Sequence, residues 1–156
     1  MIILGIDPGL AATGYGIVER VNETIRCIDY GTVVSSPNEA LEFRLKTIYD
    51  GINGLIDKYK PSHAAFEDVF YGPNIQSALK LGQARGAAMI AAVNARLTVA
   101  IYSPKEVKQA LTGYGAASKE QVQRMVAELL RLPLNDMPTD ASDALAVALC
   151  HAQRLR

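Results

Sequence analysis

The chain opens on Met1-Ile2-Ile3-Leu4-Gly5-Ile6, an apolar run that ends in one carboxylate, Asp7, and a Pro8-Gly9 turn. The run does not alternate, which predicts a strand buried on both faces in the middle of an α/β sheet. Pro8 cannot donate to a strand ladder and Gly9 accepts turn dihedrals, so the strand stops there. Asp7 is thereby placed at the carboxyl end of a central strand, where open α/β sheets bind their ligands. A carboxylate in that position is costly unless something compensates it. The plainer alternative is an Asp that caps its own turn.

The rest of the chain supplies the sheet around that strand. Residues 13–19 and 26–34 read as two further strands, joined closely enough to be antiparallel neighbours. Ser36-Pro37-Asn38-Glu39 has the composition of a helix start, with Leu41, Leu45, Ile48, Ile52, Leu55 and Ile56 forming the apolar stripe after it and Pro61 ending it. Residues 63–70 read as a strand and 75–94 as a long Ala-rich helix with Asn74 as its cap. Gly82 and Gly86 share a face of that helix and allow close backbone approach. Residues 97–102 form another strand. Ser103-Pro104-Lys105-Glu106 and Ser118-Lys119-Glu120-Gln121 are capping boxes opening two more helices, and 140–153 is a final helix. Three strands, helix, strand, helix, strand, helices predicts a mixed sheet with three antiparallel and then two parallel strands, and helices on both faces.

With 156 residues and 49% hydrophobic content, the chain suggests one globular domain, 1–156. The longest apolar stretch, 87–102, is interrupted by Asn94 and Arg96, and no cleavable leader is apparent, so a cytoplasmic protein without a membrane segment is expected. Cys27 and Cys150 have no metal-type spacing and read as free thiols. The net charge is zero but unevenly spread: six Lys/Arg against ten Asp/Glu in residues 1–70, and eight against three in residues 71–131. The acidic portion carries the candidate site and the basic portion could carry a polyanion.

Four acids stand on apolar elements. Asp7 ends the first strand, Glu67 follows Ala64-Ala65-Phe66, and Asp140 and Asp143 lie one turn apart on the last helix. Taken singly, each has an ordinary reading as a turn, strand-end or helix-dipole residue. Convergent, they repel one another and lose hydration, and a divalent cation relieves both costs. All-oxygen donors suit Mg²⁺ or Mn²⁺, and two such ions about 4 Å apart would clamp a phosphodiester. His63 and His151 are isolated in sequence, and there is no Walker-type phosphate loop.

Several blocks make a family recognisable: Gly5-Ile6-Asp7-Pro8-Gly9, Thr13-Gly14-Tyr15-Gly16, Glu67-Asp68-Val69-Phe70, the run from Ser77 through Leu81-Gly82-Gln83-Ala84-Arg85-Gly86, Pro104-Lys105 with Val107-Lys108-Gln109, and Asp140-Ala141-Ser142-Asp143. Over nearly its whole length the chain resembles the bacterial RuvC-type crossover-junction endodeoxyribonucleases, Holliday-junction resolvases with an RNase H-like fold. The resemblance implies a homodimer that nicks two strands of like polarity across a four-way junction in recombination and repair. It implies Asp7, Glu67, Asp140 and Asp143 as catalytic metal ligands for one or two Mg²⁺ ions. It places Phe70, Lys80, Arg85, Lys105, Lys108 and Lys119 among the DNA contacts, and implies cooperation with a branch-migration helicase of the RuvA and RuvB type. Leu10-Ala11, Asp68 and Gly72-Pro73 depart from the family pattern. An RNase H-like nuclease acting on ribosomal RNA precursor, an actin-like ATPase and a non-catalytic junction-binding module are the competing readings.

Overall fold

The computed structural model describes residues 1–68 and 72–155. The opening run is strand β1 (Ile2–Asp7), followed by β2 (Ala12–Val21) and β3 (Thr24–Val34). Helix α1 (Leu41–Tyr59) leads to β4 (His63–Glu67), and α2 (Ile75–Asn94) leads to β5 (Thr98–Tyr102). The chain ends in α3 (Pro104–Thr112), α4 (Lys119–Leu130) and α5 (Thr139–Arg154). The sheet order is β3-β2-β1-β4-β5. β1, β2 and β3 are antiparallel, whereas β4 runs parallel to β1 and β5 parallel to β4. β1 therefore occupies the centre, as its lack of alternation predicts.

Side chains of a strand alternate between faces, and the two cores divide accordingly. Leu4, Ile6, Ile17, Ala64 and Phe66 pack with Ile48, Ile52 and Ile56 of α1 and the alanines of α2. Ile3, Val18 and Ala65 pack on the opposite face with Leu145, Val147, Ala148 and Leu149 of α5, over which α3 and α4 close. Gly5, Asp7 and Glu67 belong to this second face.

Glycines let α5 sit unusually close. A Cβ on Gly5 would collide with the Ala144 carbonyl oxygen and lie 2.8 Å from the Ala148 Cβ; one on Gly14 would collide with the Asp140 carbonyl. Gly5 pairs with Gly16 and Asp7 with Gly14 in the β1–β2 register. The strand glycines thus form a smooth floor on which the backbone of α5 rests.

Most local signals are realised. Asn74 accepts a hydrogen bond from Ser77 N, and both Ser103 and Ser118 close full capping boxes. The expected helix start at Ser36 is corrected. The Ser36 hydroxyl accepts from Asn38 N and its carbonyl from Glu39 N, making a separate turn, and α1 begins after Ala40 without a side-chain cap. A serine that captures the amide two residues on satisfies the same donors without propagating a helix. The strand expected over 63–70 ends at Glu67, and Phe70 lies outside the described residues.

Candidate active site

Asp7 projects from the centre of the sheet, Glu67 from the end of the adjacent strand, and Asp140 and Asp143 from the first turns of α5 above them. The Gly14–Asp140 contact fixes Asp140 beside the register partner of Asp7. The four acids are one electrostatic unit. Burial, and then repulsion from Asp143, Asp140 and Glu67, push the Asp7 carboxyl up to about 7, against the opposing pull of Lys119. Burial and Asp143 also raise Glu67, with Lys108 and Lys119 opposing. Nearby negative charge and lost hydration act in the same direction.

A cleft of about 230 Å³ is lined by Glu67, Asp143, Lys108 and Lys119, with Pro104, Val107, Val122 and Ala146 as its apolar wall. The Lys119 Nζ donates to Asp143 Oδ2 at 2.8 Å, and this bond is the main reason its own pKa is raised. Lys119 is thus inside the acid cluster rather than on an outlying flank. Lys80, in the second turn of α2, and Lys105, in the first turn of α3, are exposed. Arg85 turns inward from α2, its Nη2 lying 3.4 Å from Asp68 Oδ1, and its buried Nε has no hydrogen-bond partner among the described residues.

Among the described residues, no three His, Cys, Asp or Glu side chains are gathered tightly enough to form a ready-made metal cage. The donor chemistry nevertheless fits a hard divalent cation. The group is all carboxylate oxygen, strained by its own repulsion, and Mg²⁺ commonly takes one or two carboxylates and completes its shell with water and substrate phosphate.

Sequence reasoning left His63 and His151 unconnected, and the structure joins them. Tyr102 Oη lies 2.7 Å from His151 Nδ1, and His151 Nε2 lies 2.9 Å from His63 Nδ1. His151 is buried, and burial followed by repulsion from His63 lowers its pKa to about 4, so it is neutral near pH 7.

A five-stranded mixed sheet of order β3-β2-β1-β4-β5 with helices on both faces is an RNase H-like architecture. The family model described as crossover junction endodeoxyribonuclease RuvC matches residues 3–151. Relatives of that name from Desulforamulus reducens and Syntrophotalea carbinolica are 48% and 53% identical, covering 98% and 97% of this chain and 94% of each relative. The structure of Thermus thermophilus RuvC in complex with Holliday junction substrate superposes with a TM-score of 0.91 at 37% identity, covering 97% of this chain and 93% of that one. The yeast mitochondrial resolvase Ydc2 shares the fold, with a TM-score of 0.68 at 15% identity. This chain belongs to the RuvC family of crossover-junction endodeoxyribonucleases. Neither the ribosomal-RNA nor the ATPase reading gains support from these relatives. No helix among the described residues is long and apolar enough to cross a membrane.

Proposed function

We propose that this chain, as a single nuclease domain over 1–156, resolves four-way DNA junctions by hydrolysing one phosphodiester in each of two strands of like polarity. The observation that carries the reading is the electrostatic convergence of Asp7, Glu67, Asp140 and Asp143 beside a cleft that also holds Lys108 and Lys119. One or two Mg²⁺ ions, with Mn²⁺ as a substitute, are the cations this group would hold; bound there, they would polarise the phosphate and activate water. Asp7 must be ionised to hold a cation, so metal affinity is expected to rise with pH through about 7. Lys108 meets the negative backbone at the mouth of the cleft. Lys119 balances Asp143 until substrate and cation enter. Phe70, Lys80, Arg85 and Lys105 complete the proposed DNA contacts. Two free cysteines suit a reducing cytoplasm. The deciding experiment uses purified protein with a synthetic four-way junction and a matched linear duplex, in Mg²⁺ or chelator. Nicking of the junction in Mg²⁺ is expected, and equal cutting of the linear duplex would refute junction resolution.

Lys108→Ala is expected to weaken junction binding and reduce the log–log salt slope by roughly one, the signature of one lost phosphate contact. An unchanged slope would leave Lys108 as a solubility residue. Lys119→Ala should alter the slope less and the Mg²⁺ dependence more, because its ammonium bonds Asp143.

Paired nicks need two sites in fixed relation, and a two-fold dimer supplies them with the symmetry of the junction. We place its interface on α2. Leu79, Ile90 and Val93 are 62%, 54% and 56% exposed on a common stripe with Gly82 and Gly86, around which a Cβ would meet nothing within 4 Å. Met89 instead packs into the core beneath. Gly86→Leu should stabilise the isolated fold slightly, since Gly is about 1 kcal/mol worse than Leu within a helix, while dissociating the dimer. Sedimentation checks this: an intact dimer in the variant would move the interface elsewhere. A helicase of the RuvA and RuvB type would act on the same junction, delivering it by branch migration.

A further inference from the structure

The hydrogen-bonded chain Tyr102–His151–His63 has no part in the chemistry above, yet it connects the elements that carry it. His63 opens β4 and shares a face with Glu67, four residues on. Tyr102 ends β5 as the register partner of Glu67. His151 lies on α5, eight residues beyond Asp143. Tyr102 is itself gripped from outside. The Arg154 guanidinium lies 5.1 Å from its ring and donates to Glu106 at 2.9 Å, and Glu106 in turn closes the Ser103 cap.

The surface on which α5 rests has little to resist sliding. Gly5, Gly14 and Gly16 face the backbone of α5 and its small or apolar side chains Ala144, Ala148 and Leu145. Such contacts are short-ranged but not directional, so they fix the height of the helix better than its position along its axis. Directional bonds set that position. Arg20 Nη1 donates to the Ala152 and Leu155 carbonyls and ties the helix end to β2. On the β4 and β5 side the buried tie is the histidine chain, with Arg154 of the same helix lying over the outer side of Tyr102. His151 is 4% exposed and bonds at both ring nitrogens, so a slide of one residue breaks both bonds within the core.

We propose that Tyr102, His151 and His63 are positioning residues that set the axial register of α5 against β4, and with it the separation of Asp143 and Asp140 from Glu67 and Asp7. The proposal rests on the catalytic reading of those four acids. As His151 is neutral, the protons of the chain order in single file: either Tyr102 donates to His151 and His151 to His63, or both bonds run the other way.

The test compares Tyr102→Phe and His63→Leu with Ile52→Val, a mild core truncation on the opposite face of the sheet. Turnover on a saturating junction, junction affinity in chelator and Mn²⁺ affinity by calorimetry are measured well below each melting temperature. Turnover should fall about tenfold in the first two variants and Mn²⁺ binding should weaken several-fold, with junction affinity unchanged. His63→Gln, which restores a hydrogen-bonding group, should recover part of the loss. Turnover and Mn²⁺ affinity equal to those of Ile52→Val in both variants would make the chain merely structural and overturn the proposal. A wild-type protein that binds Mn²⁺ but nicks no junction would sink the functional reading alone, and the Mn²⁺ titrations would still decide the register.

Discussion

Asp7→Asn is expected to lower junction nicking in Mg²⁺ by at least about 1,000-fold, ~4 kcal/mol of barrier, while junction binding in chelator survives. The same variant should be more stable than the wild type without metal. Asp7 sits half-buried among three like charges, and its pKa is about 7 against 3.8 for a free aspartate. The folded chain therefore holds this proton more tightly than the unfolded chain. Stability present below pH 3.8 is lost as the pH rises through 7. The neutral amide removes that loss, which at about 1.4 kcal/mol per pKa unit is a few kcal/mol at neutral pH, so the variant should melt several degrees higher. Calorimetry of both proteins from pH 4 to pH 8 reads it: the wild type should decline with pH and the variant should decline less. A variant that melts lower throughout would mean that Asp7 is not held against its neighbours. Substantial residual cleavage would remove Asp7 from the site.

Gly5→Ala should damage activity by another route. One methyl group added at the centre of β1 collides with the Ala144 carbonyl, a backbone atom in the middle of α5. Neither strand nor helix can yield locally. The helix must lift, taking Asp140 and Asp143 with it. Overpacking of this kind costs about 3 kcal/mol, and nicking should fall about 100-fold, ~2.7 kcal/mol of barrier, in protein that remains folded at low temperature. Gly54→Ala is the matched control, because a Cβ there meets nothing within 4 Å. Wild-type nicking by Gly5→Ala would show that α5 can move without disturbing the site.

What the amino-acid order revealed was mostly local. The central strand declares itself by its lack of alternation, α2 by its length and its Asn74 cap, and α3 and α4 by serines placed three residues before Glu106 and Gln121. The four acids stand out because each is charged on an apolar element. The false helix start at Ser36 shows the limit of such cues, since a turn and a cap use the same hydroxyl. Long-range pairings leave no local trace. Nothing near His63 announces His151, 88 positions away, and Lys119 reads as a first-turn helix residue until α4 is laid beside Asp143. The strand glycines did carry a usable signal, because Gly within a strand often marks a close backbone approach.

The acids that converge on the cleft come from opposite ends of the polypeptide. Asp7 is synthesised well before Asp140 and Asp143, which emerge with α5. The first three strands can pair as soon as they appear, but α5 must travel back across the whole sheet to reach Gly5 and Gly14. Contacts of such large sequence separation form late in folding. On the proposed reading of the four acids, a nascent or clipped chain without a docked α5 has half of them missing and should not cut DNA. On that reading, docking of α5 is the step that completes the site.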